Sequence, residues 1–211
     1  FWKKHHQQDT KELEEICLNT LDQLEEFFTS NDYEPLAKHG SIIKKFKEGV
    51  GLLALQEVPN PTDPNFEILE KKLQEYAQAA NVSINLGDLK GRWQQTQGHR
   101  FGTSVLVNPA RFEISADKTA IDGRGAEYQV KHVGSNQTFQ VVNIHLDYDK
   151  APDQIKMVEQ QNEQGKICLG DTNSQRQLTS KNQNSFQYEG KLNTYDVILL
   201  PQTIKMTPII Q

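Results

Sequence analysis

Several apolar runs in this chain begin or end in groups that can handle protons, cations or phosphates. Lys166-Ile167-Cys168-Leu169-Gly170-Asp171-Thr172-Asn173 closes on a carboxylate and an amide. Leu52 to Pro59 carries Glu57 near its end, and Val141-Val142-Asn143-Ile144-His145-Leu146-Asp147 carries an amide, an imidazole and a carboxylate. Tyr195 to Pro201 has Asp196 at its start. A carboxylate can ligate a hard cation or take a proton, and a histidine can move a proton near neutral pH. Each has an ordinary reading when taken alone: a turn after a core strand, a strand-end glutamate facing water, a structural histidine. Their coincidence at successive strand ends carries the argument, because open α/β sheets place their chemistry at the carboxyl ends of strands.

These residues need strands to present them. Short apolar runs bounded by turn residues predict buried strands over Leu52–Pro59, Gly102–Val107, Lys166–Leu169 and Tyr195–Pro201, with a short strand over Arg111–Ser115. Glu127–Val133 and Gln137–Leu146, joined through Gly134-Ser135-Asn136, predict a hairpin whose second arm puts Asn143 and His145 on one face. Burying Glu57 beside aliphatic residues is costly unless it is paired or holds a cation. Helical spacing predicts amphipathic helices over Asp9–Ser30 and Phe66–Ala80, a shorter helical segment over Tyr33–Lys47 and a short polar helix over Asp153–Gln164, and Ser83–Leu89 reads as a weak strand and turn. Ser174–Asn184 reads as a polar loop, and Tyr188 beyond it as either an aromatic contact or a rim residue.

The chain has 211 residues, 36% hydrophobic and 24% charged, with a mean hydropathy of -0.69. Residues 1–211 are read as one domain, and no run approaches the length of a membrane-spanning helix. A net charge of -5 supplies no general basic field, so a phosphate-bearing ligand must be held by local cations. Cys17, placed on a helix, and Cys168, placed in a strand, read as buried free thiols, which leaves the compartment unassigned. A monomer is the favoured state.

Leu55-Gln56-Glu57-Val58, Gly102-Thr103-Ser104-Val105-Leu106, Val142-Asn143-Ile144-His145-Leu146-Asp147, Gly170-Asp171-Thr172-Asn173 and Tyr195-Asp196-Val197-Ile198-Leu199 resemble, in order, the motifs of the endonuclease/exonuclease/phosphatase superfamily. That resemblance implies a four-layered α/β sandwich, two mixed β-sheets face to face with helices outside, and metal-dependent hydrolysis of phosphate esters. It implies Glu57 as the ligand of Mg²⁺ or Mn²⁺. Asp171 would orient or deprotonate the attacking water, and Asn173 would hold that water or a phosphate oxygen. His145 would contact the phosphate with Asn143 supporting it, Asp196 would orient a final histidine, and Arg124, in Asp122-Gly123-Arg124-Gly125, would bind substrate.

The resemblance also implies a first strand bearing a metal-binding asparagine and a last Ser-Asp-His motif. These are expected to lie outside Phe1–Gln211. The leading expectation for function is a phosphodiesterase or endonuclease acting on nucleic acid. The alternatives are a lipid-headgroup phosphoesterase of the phosphoinositide or sphingomyelin type, and a noncatalytic binding module that keeps the fold.

Overall fold

Alternation of side chains along the strands decides how this chain layers. In a computed structural model, which describes residues 16–18, 43, 46, 51–174, 176–179, 185–189 and 195–202, strand β2 (Leu52–Pro59) sends Leu52 and Ala54 to one face and Leu53 and Leu55 to the other. β1 (Ile16–Leu18) runs parallel to β2, and β4 (Phe101–Val107) runs antiparallel on its other side with the two-residue β3 (Gln94–Gln95) at the edge, giving the order β1-β2-β4-β3. A second sheet has the order β5-β6-β7-β8-β10-β9. It is built from β5 (Phe112–Ala120), β6 (Gly125–His132), β7 (Thr138–His145), β8 (Ile167–Asp171), β9 (Phe186–Glu189) and β10 (Tyr195–Leu199). Only β7 and β8 pair in parallel in this sheet, so both sheets are mixed.

The sheets pack face to face through Leu52, Ala54, Val105, Tyr128, Val141, Leu169 and their neighbours. Residues of the opposite parity meet helices. Leu53, Leu55 and Leu106 pack under α1 (Pro64–Ala80) through Phe66, Leu69 and Leu73. Val142, Ile144 and Cys168 pack under α3 (Ala151–Glu163) through Ile155 and Val158. The result is the four-layered α/β sandwich that the resemblance implied. Each fully buried leucine or isoleucine contributes roughly 1.5–3 kcal/mol. Asp63 caps α1 by accepting a hydrogen bond from the Asn65 N–H at 2.9 Å, and Asn81 ends it in the left-handed conformation.

The strands over Leu52–Pro59 and the β4 region, the hairpin, and the helices α1 and α3 match expectation within a few residues, and β5 runs further than Arg111–Ser115. Two expectations are corrected. Ile16–Leu18, expected inside a helix over Asp9–Ser30, is a strand paired with Leu52–Ala54; the rest of that stretch lies outside the described residues. A three-residue apolar run satisfies either period, and sheet pairing decided it. Ser83–Leu89, expected as a weak strand, instead leads into helix α2 (Leu86–Gly91), because the Asn85 side chain caps it by accepting from the Gly87 N–H at 3.1 Å. Of the helix expected over Tyr33–Lys47, only Ile43 and Phe46 are described, both helical and buried. No helix among the described residues is long and apolar enough to cross a membrane.

Candidate active site

Glu57 reaches the site because β2 carries one residue too many. Leu55 faces Ser104 and Val58 faces Gly102, so three steps on β2 oppose two on β4, and Glu57 takes φ 51 within this bulge. A bulge reverses the parity of the residues beyond it. Plain alternation would have sent Glu57 toward α1 with Leu53 and Leu55; instead Val58 packs there, and the Glu57 carboxylate turns to the end of the seam between the sheets. Its Oε1 lies 3.5 Å from Nε2 of His145.

Asn143 and His145 share the inward face of β7, as the period of two required. Their roles separate. Asn143 is completely buried, its Nδ2 donating to the carbonyls of Leu55 and Ser104, both at 2.9 Å, while its Oδ1 accepts from Gln56 Nε2 at 2.6 Å. It ties β7 to β2 and β4. His145 is also buried. Burial first, then the nearby Arg124 charge and the His99 ring, push its pKa down to about 3, so the imidazole is neutral and its approach to Glu57 is a polar contact rather than an ion pair. Its Nδ1 is buried with no hydrogen-bond partner among the described residues.

Asp171 ends β8 directly beside His145, the two being partners in the parallel ladder. Gly170 makes this possible: with φ 133, a Cβ there would sit 2.1 Å from the Ile144 carbonyl oxygen. Asn173, at φ 45, folds back so that its N–H donates to Asp171 Oδ1 at 2.6 Å and its Nδ2 to the Leu146 carbonyl at 3.0 Å. The Leu146 N–H donates to the Asp171 carbonyl at 3.0 Å, closing the turn on β7. Asp171, Asn173 and His145 are thus held by one set of short bonds. On the other side of β8, Asp196 of β10 faces Asp171 in register.

Arg124 is not a surface arginine. It is 3% exposed, its Nη1 donates to the Gln97 carbonyl at 2.6 Å, and its Nη2 lies 4.0 Å from Asp147 Oδ2. Burial lowers its pKa and Asp147 opposes that shift. The Gln97 contact draws in a neighbouring residue that the sequence pattern does not single out. His99 is exposed, and its ring centroid stands 5.5 Å from that of His145. Burial and the Arg124 charge lower its pKa. The sequence offers only Gly98-His99-Arg100 ahead of a strand, with nothing local to link it to His145. Tyr188 falls in β9, and its side chain, like that of Asp196, lies outside the described residues.

Among the described residues, no three His, Cys, Asp or Glu side chains converge into a cage. One hard carboxylate, aimed by a bulge at the end of the seam, fits Mg²⁺ or Mn²⁺, which keep several waters and take substrate oxygens.

No family model matches the sequence, and no curated protein matches it. Solved structures do. A humanized D. rerio TDP2 carrying 14 mutations is 14% identical with a TM-score of 0.54, over 89% of this chain and 82% of that one. D. rerio TDP2 complexed with a single-strand DNA product is 13% identical with a TM-score of 0.52, over 88% and 83%. The mannosyl-6-phosphatase of Bacteroides thetaiotaomicron is 11% identical with a TM-score of 0.50, over 78% and 76%. At these identities the likeness is one of fold: the chain shares the two-sheet α/β sandwich of these structures.

Proposed function

We propose that residues 1–211 form one metal-dependent phosphoesterase domain, and that its substrate is a phosphodiester of nucleic acid. The observation that carries this reading is the meeting of Glu57, His145 and Asp171 at one end of the inter-sheet seam, the first two 3.5 Å apart and the last two paired in register. Glu57 would hold Mg²⁺ or Mn²⁺, which when bound neutralises charge on the phosphate. Asp171, its carboxylate oriented by the Asn173 N–H, would position the attacking water and take its proton. One Nδ2 hydrogen of Asn173 is used by Leu146; the other is available to a phosphate oxygen. The neutral imidazole of His145 would contact the phosphate as a hydrogen-bonding group, with Asn143 and Arg124 positioning it.

Asp196, in register opposite Asp171, would serve as an orienting carboxylate. The single-strand DNA product bound to D. rerio TDP2 supports nucleic acid as the substrate to test first.

The test is Mg²⁺-dependent hydrolysis across DNA, RNA, inositol phosphates and sphingomyelin, with Glu57→Gln and Asp171→Ala. Each variant is expected to lose activity by about 10²–10⁴-fold on the preferred substrate. Unchanged rates in both variants would remove the assignment.

A further inference from the structure

The bulge that turns Glu57 into the site has to be held in place. An extra residue disrupts the ladder locally, and φ 51 at a residue with a side chain is a conformation that the surroundings must impose. Gln56 and Glu57 together stand opposite the single residue Thr103, between the Leu55–Ser104 and Val58–Gly102 pairs. Asn143 grips the near side of this bulge through the carbonyls of Leu55 and Ser104 and the Gln56 side chain. The far side is gripped from outside both strands: the Trp93 Nε1–H donates to the Val58 carbonyl at 3.0 Å.

A part-buried indole usually finds some acceptor. This one finds the carbonyl of the residue directly after Glu57, at the point where β2 must become extended again. Pro59 already restricts Val58 to extended backbone, and the indole fixes the direction of the Val58 carbonyl, so the chain leaves its left-handed step along one path. The indole is itself braced. Gly102, the partner of Val58, leaves room for it, since a Cβ there would stand 2.5 Å from Trp93 Cε2 and 2.3 Å from the Gln94 carbonyl oxygen. One carboxylate of β5 holds both flanking residues: Asp117 accepts from Arg92 Nη1 at 2.6 Å through Oδ1 and from Gln94 Nε2 at 2.7 Å through Oδ2. The Tyr128 hydroxyl donates to the Arg92 carbonyl at 3.1 Å, immediately before Trp93. The second sheet thus reaches the bulge of the first through residues 92–94.

Building on the reading of Glu57 as the ligand of Mg²⁺ or Mn²⁺, we infer that Trp93 is a positioning residue for that ligand: its N–H on the Val58 carbonyl, braced by Asp117, holds the bulge that aims the Glu57 carboxylate at the end of the seam. Trp93 acts through the backbone after Glu57. Groups that orient a metal ligand in this way typically contribute 10–100-fold in metal affinity.

The experiment measures Mn²⁺ binding to the full chain by electron paramagnetic resonance of the free ion, which reads the site without turnover. Glu57→Gln should abolish binding. Trp93→Phe keeps a ring against the core under α1 and removes the N–H, and it is expected to weaken Mn²⁺ binding roughly 10–100-fold. Asp117→Asn, which loosens Arg92 and Gln94 without altering the indole, should weaken it in the same direction by a smaller factor, and it carries the test if Trp93→Phe does not fold. Ile155→Val, in the layer under α3, lowers stability away from the bulge and should leave Mn²⁺ affinity as it is. On the preferred substrate, Trp93→Phe should raise the Mg²⁺ concentration for half-maximal rate by the factor seen with Mn²⁺, with the rate at saturating Mg²⁺ near that of the unmutated chain. Mn²⁺ affinity unchanged in folded Trp93→Phe, an equal loss in Ile155→Val, binding that survives Glu57→Gln, or no Mn²⁺ binding by the unmutated chain overturns the inference. Glu57-dependent binding that Trp93→Phe weakens, in a chain that hydrolyses none of the phosphate esters, instead removes the phosphoesterase reading and leaves the role of Trp93 standing.

Discussion

Replacing Gly170 by alanine tests the geometry on which the site depends. Gly170 lies in β8, between β7 and β10, opposite Ile144 on one side and Val197 on the other. Its φ of 133 belongs to a region that side-chain-bearing residues avoid, at a cost on the order of 1–3 kcal/mol. The new Cβ would also stand 2.1 Å from Ile144 O and 3.0 Å from Ile144 N and C, all backbone atoms that move only with the strand. Overpacking of this kind adds roughly 1–3 kcal/mol, so Gly170→Ala should destabilise the fold by about 2–6 kcal/mol in all. That is a large share of the ~5–15 kcal/mol typical of a domain. Urea unfolding followed by circular dichroism should show a midpoint lowered by roughly 1–3 M with an unchanged slope. Relief of the clash pushes β8 away from β7 and carries Asp171 with it, so hydrolysis should fall by about 10²-fold even where the variant is folded, as expected for a displacement near 1 Å. A loss below ~0.5 kcal/mol, or full activity, would refute the close approach of β7 and β8 at this point.

Other consequences are equally direct. Asn143→Ala leaves Gln56 Nε2 and the carbonyls of Leu55 and Ser104 each short of a partner, which should cost about 3–5 kcal/mol in chemical unfolding; a near-neutral result would mean that the two sheets are not tied there. Arg124→Lys cannot reach both Gln97 O and Asp147, so amide exchange across residues 96–100 should quicken by roughly tenfold while global stability changes little, as hydrogen-exchange mass spectrometry would reveal. The Cys168 thiol, pushed up to about 12 by burial, should stay protonated and resist an aromatic disulfide reagent at pH 8 in a Cys17→Ser background; labelling should begin only at urea concentrations that unfold the chain.

Much of the architecture was legible because burial on one face leaves a period of two in the strands and a longer period in α1 and α3. Leu52–Leu55, Val105–Val107 and Val141–Ile144 each divide between the inter-sheet core and a helix layer as alternation dictates. The features that escaped the sequence depend on partners distant along the chain. Ile16–Leu18 became a strand by pairing with Leu52–Ala54, which no local window reveals. Arg92, at the end of α2, contacts Asp88 through Nε at 3.4 Å but binds Asp117 of β5 at 2.6 Å, a contact that anchors α2 from outside its own segment. Arg124 is buried through a carbonyl from Gln97, and His99 meets His145 only when the second sheet is in place.

Glu57 shows the distinction most sharply. Its residue type and its place at the end of an apolar run identified it as a candidate ligand, yet its run alone predicts the wrong face. Two apolar residues pointing to α1, Leu53 and Leu55, set a phase in which position 57 would join them in the helix layer. The extra residue opposite Ser104 and Gly102, with φ 51 at Glu57 itself, cancels that phase within one step. The left-handed backbone of a non-glycine residue is a cost on the order of 1–3 kcal/mol that the sheet pairing on both sides sustains. The bulge thereby secures a carboxylate beside His145, which is itself in register with Asp171 of the adjoining strand. Sequence pattern therefore names the groups of this site, and the irregularity in one ladder brings them together.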